Sequence, residues 1–122
     1  YFPGGPGMAV YYASKAFLLS FSQALSQELC SQGISVTALC PGYTKTGFQA
    51  RAGFGQNDNL AKFPSMSSGD VAEAGYAGLM AGRRTVVPGF FNQITIWLLP
   101  FLPNPVVLWI ISRLQQKRAQ PA

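Results

Sequence analysis

The chain has 122 residues, of which 48% are hydrophobic and 11% charged, with a net charge of +5. That is enough apolar material for a globular unit with a buried core, and it excludes a disordered chain. There is no histidine, which excludes Ser-His-Asp and Cys-His hydrolase chemistry and most zinc sites from within the chain, so proton transfer falls to Tyr, Lys, Asp or Glu.

The opening stretch Tyr1-Phe2-Pro3-Gly4-Gly5-Pro6-Gly7 is loop-like and reads as the interior of a longer protein. From Tyr11 to Ser31 the side chains Phe17, Phe21, Leu25 and Leu29 recur every four residues, Leu18 widens the stripe, and Gly33 follows as a stop. A long helix with one buried face is predicted there. Ile34 to Cys40 alternates β-branched or apolar with small residues and ends at Pro41-Gly42, the pattern of a strand. Residues 47 to 66 are polar with little periodicity and read as an adaptable loop, with room for a short helix.

Ser67-Ser68-Gly69-Asp70 has capping-box form with Asp in place of Glu, and the helix it starts, through Val71, Ala74 and Leu79, should end at Gly82. Thr85 to Pro88 reads as a short edge strand. Phe90 to Ile111 is strongly apolar, but Pro100, Pro103 and Pro105 break it into pieces. Each piece is far short of the roughly 20 residues that span a bilayer. No internal repeat or low-complexity segment is present.

Charge is unevenly placed. Up to Ala74, Lys15, Lys45, Arg51 and Lys62 balance Glu28, Asp58, Asp70 and Glu73, whereas Arg83, Arg84, Arg113, Lys117 and Arg118 follow with no acid among them. These cations form no nucleic-acid reading motif, so no nucleic-acid partner is expected, and an anionic membrane surface suits them better. Cys30 and Cys40 lack metal-ligand spacing and read as reduced core residues of a cytoplasmic protein, peripheral at a membrane if the tail binds one.

Tyr11 and Lys15 stand four residues apart at the start of the first helix, a spacing that puts both on one face. An ammonium near a phenol favours the phenolate, which makes the pair a candidate proton donor and acceptor near neutral pH. Taken alone, a Tyr and a Lys at this spacing are more often just a helix N-terminus with a solvated lysine.

The stretch Tyr11-Tyr12-Ala13-Ser14-Lys15-Ala16 resembles the YxASKA active-site signature of the classical short-chain dehydrogenase/reductase family. Pro41-Gly42-Tyr43-Thr44-Lys45-Thr46 is similar to that family's PGxxxT cofactor segment, and the elements up to about residue 90 follow in the family's order. The resemblance implies that Tyr11 is the general acid/base and that Lys15 assists it and holds the nicotinamide ribose of NAD or NADP. It implies that Pro41, Gly42, Thr44 and Thr46 line the nicotinamide end of the cofactor. Using Tyr12 as the phenol would give an i,i+3 pair and depart from the signature.

By the same resemblance, residues 47 to 66, with Phe48, Gly53-Phe54-Gly55, Phe63 and Met66, correspond to a mobile substrate lid. The family's substrate-orienting serine, its Gly-rich phosphate turn and its ribose selector find no match here, so the choice between NAD and NADP is not legible.

The expected fold class is α/β, the C-terminal portion of a Rossmann-like doubly wound parallel sheet carried by residues 1–89, with an apolar and basic helical C-terminal extension over 90–122. The expected function is that of a fragment, inactive alone, of an NAD(P)-dependent oxidoreductase interconverting an alcohol and a ketone, with a small lipophilic carbonyl or alcohol as substrate. By family analogy the protein is a homo-oligomer with the 11–31 helix at an interface. The rival reading is a catalytically silent interaction or membrane-associated module. Three roles suit the tail: a pocket roof or subunit contact, a membrane-surface segment, or a re-entrant or spanning hairpin.

Overall fold

A computed structural model of the chain describes residues 8–45 and 65–116. Helix α1 spans Ala9–Leu29 and tightens into a 3-10 turn at Cys30–Gln32. Gly33 then takes φ 73°, which lets its N–H reach the Cys30 carbonyl and the Ile34 N–H reach that of Leu29. Glycine adopts this left-handed geometry without a Cβ penalty, which is why the helix stops here.

The inward face of α1 differs from the expected stripe. Its less exposed positions are Tyr12, Leu19, Ser22, Leu25 and Leu29, and Ser26 is buried. Phe17 and Phe21 are exposed, their rings stacked on each other at 5.9 Å. The reason is geometric: four residues turn an α-helix by about 400°, so a four-residue repeat drifts about 40° per step and leaves one face within three steps.

Strand β1 is Ala38–Leu39, shorter than the expected 34–40. It pairs in parallel with β4, Thr85–Val86, through Ala38 N–H to the Arg84 carbonyl at 2.9 Å and Cys40 N–H to the Val86 carbonyl at 2.8 Å. The Thr37 hydroxyl donates to the Arg83 carbonyl at 2.6 Å and extends the contact by one residue. Ile34 to Val36 stay outside the ladder because β4 begins only after the turn at Gly82.

Between these strands come β2 (Thr44–Lys45) and β3 (Met66–Ser67), which pair in parallel as a second two-stranded sheet. Helix α2, Ser68–Met80, then completes a crossover from β1 to β4, the connection that parallel strands require. The Ser67 hydroxyl accepts from the Asp70 N–H at 3.1 Å and donates to the Asp70 carboxylate at 2.8 Å, so the expected cap forms. At the other end Gly82 takes φ 68°, with its N–H on Leu79 and the Arg83 N–H on Gly78.

Small residues set how closely α2 approaches the sheet. A Cβ at Gly75 would stand 2.9 Å from Leu39 Cδ2, and one at Gly78 would overlap Val86 Cγ2. α1 is tied to β4 by side chains: Gln23 Nε2 donates to Thr85 Oγ1 at 3.3 Å, and the Arg84 guanidinium donates to Gln27 Oε1.

Two further helices follow, α3 at Phe90–Leu98 and α4 at Asn104–Gln116, joined through a 3-10 turn at Leu99–Phe101. Among the described residues the buried apolar side chains are Val71, Val86, Val107 and Ile111. Val71 and Val86 lie at the contact of α2 with β4, and Val107 and Ile111 lie on α4.

Candidate active site

Tyr11 and Lys15 lie in the first two turns of α1, which opens after Met8 without a side-chain cap. Lys15 Nζ stands over the Tyr11 ring, 5.6 Å from its centre. Tyr12 meets Tyr11 edge to face at 5.9 Å, and the Ser14 hydroxyl donates to the Tyr11 carbonyl at 2.7 Å. Both Tyr11 and Lys15 are solvent-exposed, open to a ligand.

The second group is the turn after β1. Thr44 Oγ1 donates to the Gly42 carbonyl at 3.1 Å, and the Met66 N–H donates to the Tyr43 carbonyl at 3.3 Å where β3 joins β2. Gly42 is pressed against Asn92 of α3: a Cβ there would overlap the Asn92 amide. Gly89, at φ 93°, faces the same amide, and a Cβ on it would lie 2.9 Å from Asn92 Nδ2 and 3.3 Å from Met66 Sδ. Asn92 Nδ2 donates to the Pro88 carbonyl at 2.9 Å, which holds the amide in place.

Sequence reasoning missed Asn92, and the signal was slight: a polar residue three positions after Gly89 in an apolar run. Its contact with Gly42 spans fifty residues of chain and has no local signature.

Thr46 and the lid residues Phe48, Gly53-Phe54-Gly55 and Phe63 lie outside the described residues. Met66 is described, on β3 beside Gly89. Both cysteines are free thiols, in line with the reduced state expected, but they depart from the expectation of core residues: Cys30 is exposed on the 3-10 turn and Cys40 is only partly buried. Cys30 opens the turn that Gly33 closes, and its carbonyl accepts the Gly33 N–H. Burial pushes the Cys40 thiol above its ordinary value. Among the described residues no three His, Cys, Asp or Glu side chains gather as a metal site.

An open concavity of about 630 Å³ lies between α2, β4 and α3, lined by residues that include Gly78, Arg83, Thr85, Gln93 and Trp97. None of Tyr11, Lys15, Gly42 or Thr44 lines it. It is therefore a feature apart from the Tyr11–Lys15 pair.

A parallel α/β unit with a Tyr-x-x-x-Lys pair opening one helix and a Pro-Gly turn after the next strand is the arrangement that the resemblance to short-chain dehydrogenases implies. Residues 2–57 match the family model described as short chain dehydrogenase. Over those residues the chain is a segment of the short-chain dehydrogenase family.

A 3-oxoacyl-(acyl-carrier-protein) reductase FabG of Rickettsia prowazekii is 35% identical over 75 residues, 61% of this chain and 31% of that protein. An uncharacterized oxidoreductase of Myxococcus xanthus is 30% identical over 105 residues, 86% of this chain and 39% of that protein. An acetoacetyl-CoA reductase of Shinella zoogloeoides is 51% identical over 43 residues, 35% of this chain and 18% of that protein. The matched stretches thus span about a third of the first two relatives and less of the third. No solved structure matches the chain.

Proposed function

We propose that this chain carries the acid/base half of an NAD(P)-dependent oxidoreductase that interconverts an alcohol and a ketone. The observation that carries the reading is the Tyr11–Lys15 pair, with Nζ over the ring at 5.6 Å on one exposed face of α1. The names of the relatives support it, since two are reductases of 3-oxoacyl or acetoacetyl thioesters and the third is an oxidoreductase.

The donor set suits a nicotinamide nucleotide chemically. An exposed ammonium and a phenol on one helix face can hydrogen-bond the vicinal hydroxyls of a ribose, and the Gly42–Thr44 turn offers backbone groups and a hydroxyl for a carboxamide. When bound, the cofactor supplies or accepts the hydride. Tyr11 gives its phenolic proton to the carbonyl oxygen in reduction and takes the hydroxyl proton in oxidation. Lys15 stabilises the negative charge that develops on the Tyr11 oxygen and holds the ribose. Pro41, Gly42, Thr44 and Thr46 shape the nicotinamide end.

In this reading residues 1–89 belong to a doubly wound catalytic domain and residues 90–122 are a segment added to it. The substrate is a small lipophilic carbonyl or alcohol, a reading supported by the apolar run from Phe90 to Ile111 and not by the names of the relatives, whose acyl groups ride on large polar carriers. The test is a spectrophotometric assay of the whole protein with acetoacetyl-CoA and a panel of lipophilic ketones, with NADH or NADPH. Substrate-dependent loss of reduced cofactor supports the reading. Tight binding of a reduced cofactor with no turnover of any ketone, or of any alcohol in the reverse direction, would favour a silent module that kept the fold.

A further inference from the structure

Helices α3 and α4 present apolar side chains outward as well as inward. Along α3 and the 3-10 turn after it the inward positions are Asn92, Ile96 and Leu99, while Phe90, Ile94, Trp97, Leu98 and Phe101 form a second, exposed stripe, with Trp97 also at the rim of the concavity beside α2. Their spacing of i, i+4, i+7, i+8 and i+11 is that of one helix face. In α4, Val107 and Ile111 are buried, and Val106, Trp109, Ile110 and Arg113 make the opposite, exposed stripe at i, i+3, i+4 and i+7. Phe90 is 73% exposed, Trp97 79%, Phe101 82% and Trp109 61%. A helix on a water-facing surface ordinarily turns polar residues to this side.

The polar side chains of α3 are turned back on the chain itself. Asn92 Nδ2 donates to the Pro88 carbonyl at 2.9 Å, Gln93 Nε2 to the Val87 carbonyl at 3.0 Å and Thr95 Oγ1 to the Phe91 carbonyl at 2.8 Å. Each of these donors is already partnered, which lowers the cost of moving the helix out of water.

Charge completes the pattern. Arg113 stacks its guanidinium over the Trp109 ring at 5.3 Å, Lys117 and Arg118 follow in sequence, and no acidic residue occurs after Glu73. Exposed tryptophans beside cations with no counter-charge are suited to the boundary between acyl chains and anionic headgroups. At a rise of about 1.5 Å per residue, α3 and α4 are roughly 14 and 20 Å long, well short of the ~30 Å hydrocarbon layer. Among the described residues no helix is long and apolar enough to cross a membrane.

From these observations we infer that α3 and α4 form a monotopic docking surface for an anionic lipid bilayer, with Phe90, Trp97, Phe101 and Trp109 entering the interface and Arg113 holding headgroups. The inference is independent of the oxidoreductase reading.

The test is flotation of the whole protein with vesicles of phosphatidylcholine alone and of phosphatidylcholine with 30% phosphatidylglycerol, at low and high salt. Binding should be at least tenfold stronger to the anionic vesicles and fall several-fold between 0.1 and 0.5 M NaCl. Brominated lipids should quench a tryptophan signal that Trp97→Phe/Trp109→Phe removes, and Phe101→Ser/Trp109→Ser should reduce flotation tenfold or more. The quenching measurement needs no destabilising variant, so a failure of the serine variant to fold does not decide the matter. Absence of flotation with either vesicle overturns the inference, as does a soluble oligomer or a contact elsewhere in the protein that shields both tryptophans from bilayer quenchers.

Discussion

Gly78 of α2 lies so close to Val86 of β4 that a Cβ would overlap the valine's Cγ2. Both are buried, and Val86 also carries the backbone carbonyl that receives the Cys40 N–H. Gly78→Ala should therefore force α2 away from the sheet and cost about 1–3 kcal/mol, the usual range for overpacking a filled site. Gly75→Ala should cost less, because it meets the flexible end of Leu39 at 2.9 Å. Thermal unfolding of the two variants in the whole protein checks the order, and an unchanged midpoint for Gly78→Ala would show that the helix is not seated this closely.

The contact of Gly42 with Asn92 predicts a pair of coupled substitutions. Gly42→Ala should displace the amide and break its bond to Pro88, whereas Gly42→Ala/Asn92→Ala should recover part of the loss. Residues in direct contact typically couple by about 0.5–3 kcal/mol. A double-mutant cycle by chemical denaturation measures this, and strict additivity would separate the Pro41–Gly42 turn from α3.

Ser67→Ala should cost about 1 kcal/mol through loss of the α2 cap. Asp70→Ala should cost less, since the Asp70 N–H keeps its hydrogen bond to Ser67. Equal stability of wild type and Ser67→Ala by thermal unfolding would contradict the cap.

The two cysteines should react at different rates. Cys30 is exposed, and burial raises the Cys40 thiol above its ordinary value, so iodoacetamide at pH 8 should label Cys30 first. A thiol raised in the folded state stays neutral there while its unfolded counterpart ionises. Its stabilising effect is present below the unfolded value of about 8.5 and is lost as pH rises above it towards the raised folded value. Cys40→Ala should flatten the fall in stability over that alkaline range, and peptide mapping of the label reads the order of modification. Faster labelling of Cys40 would contradict its burial.

The parts of the fold legible in the sequence are those with local causes. Gly33 and Gly82 stop helices through left-handed backbone, and Ser67 with Asp70 caps α2, because each depends on residues within a few positions. The pairing of β2 with β3 was not legible, since two-residue strands at Thr44–Lys45 and Met66–Ser67 have no periodicity. Phe17 and Phe21 are exposed although they belong to the apolar stripe of α1, because a four-residue repeat does not hold one helix face. At the site, Tyr11 and Lys15 come together through helix spacing alone, whereas the approach of Asn92 to Gly42 is tertiary and has no sequence signal.

The central claim is that Tyr11 transfers the proton and Lys15 assists it, and it is tested most directly by kinetics of Tyr11→Phe and Lys15→Ala in the whole protein. Tyr11→Phe should lower kcat by about 10²–10⁴-fold, the usual contribution of a positioned acid/base, while cofactor affinity by fluorescence titration stays near wild type. Lys15→Ala should lower kcat and also weaken cofactor binding, because it removes the ribose contact. Near-normal turnover by Tyr11→Phe would contradict the assignment.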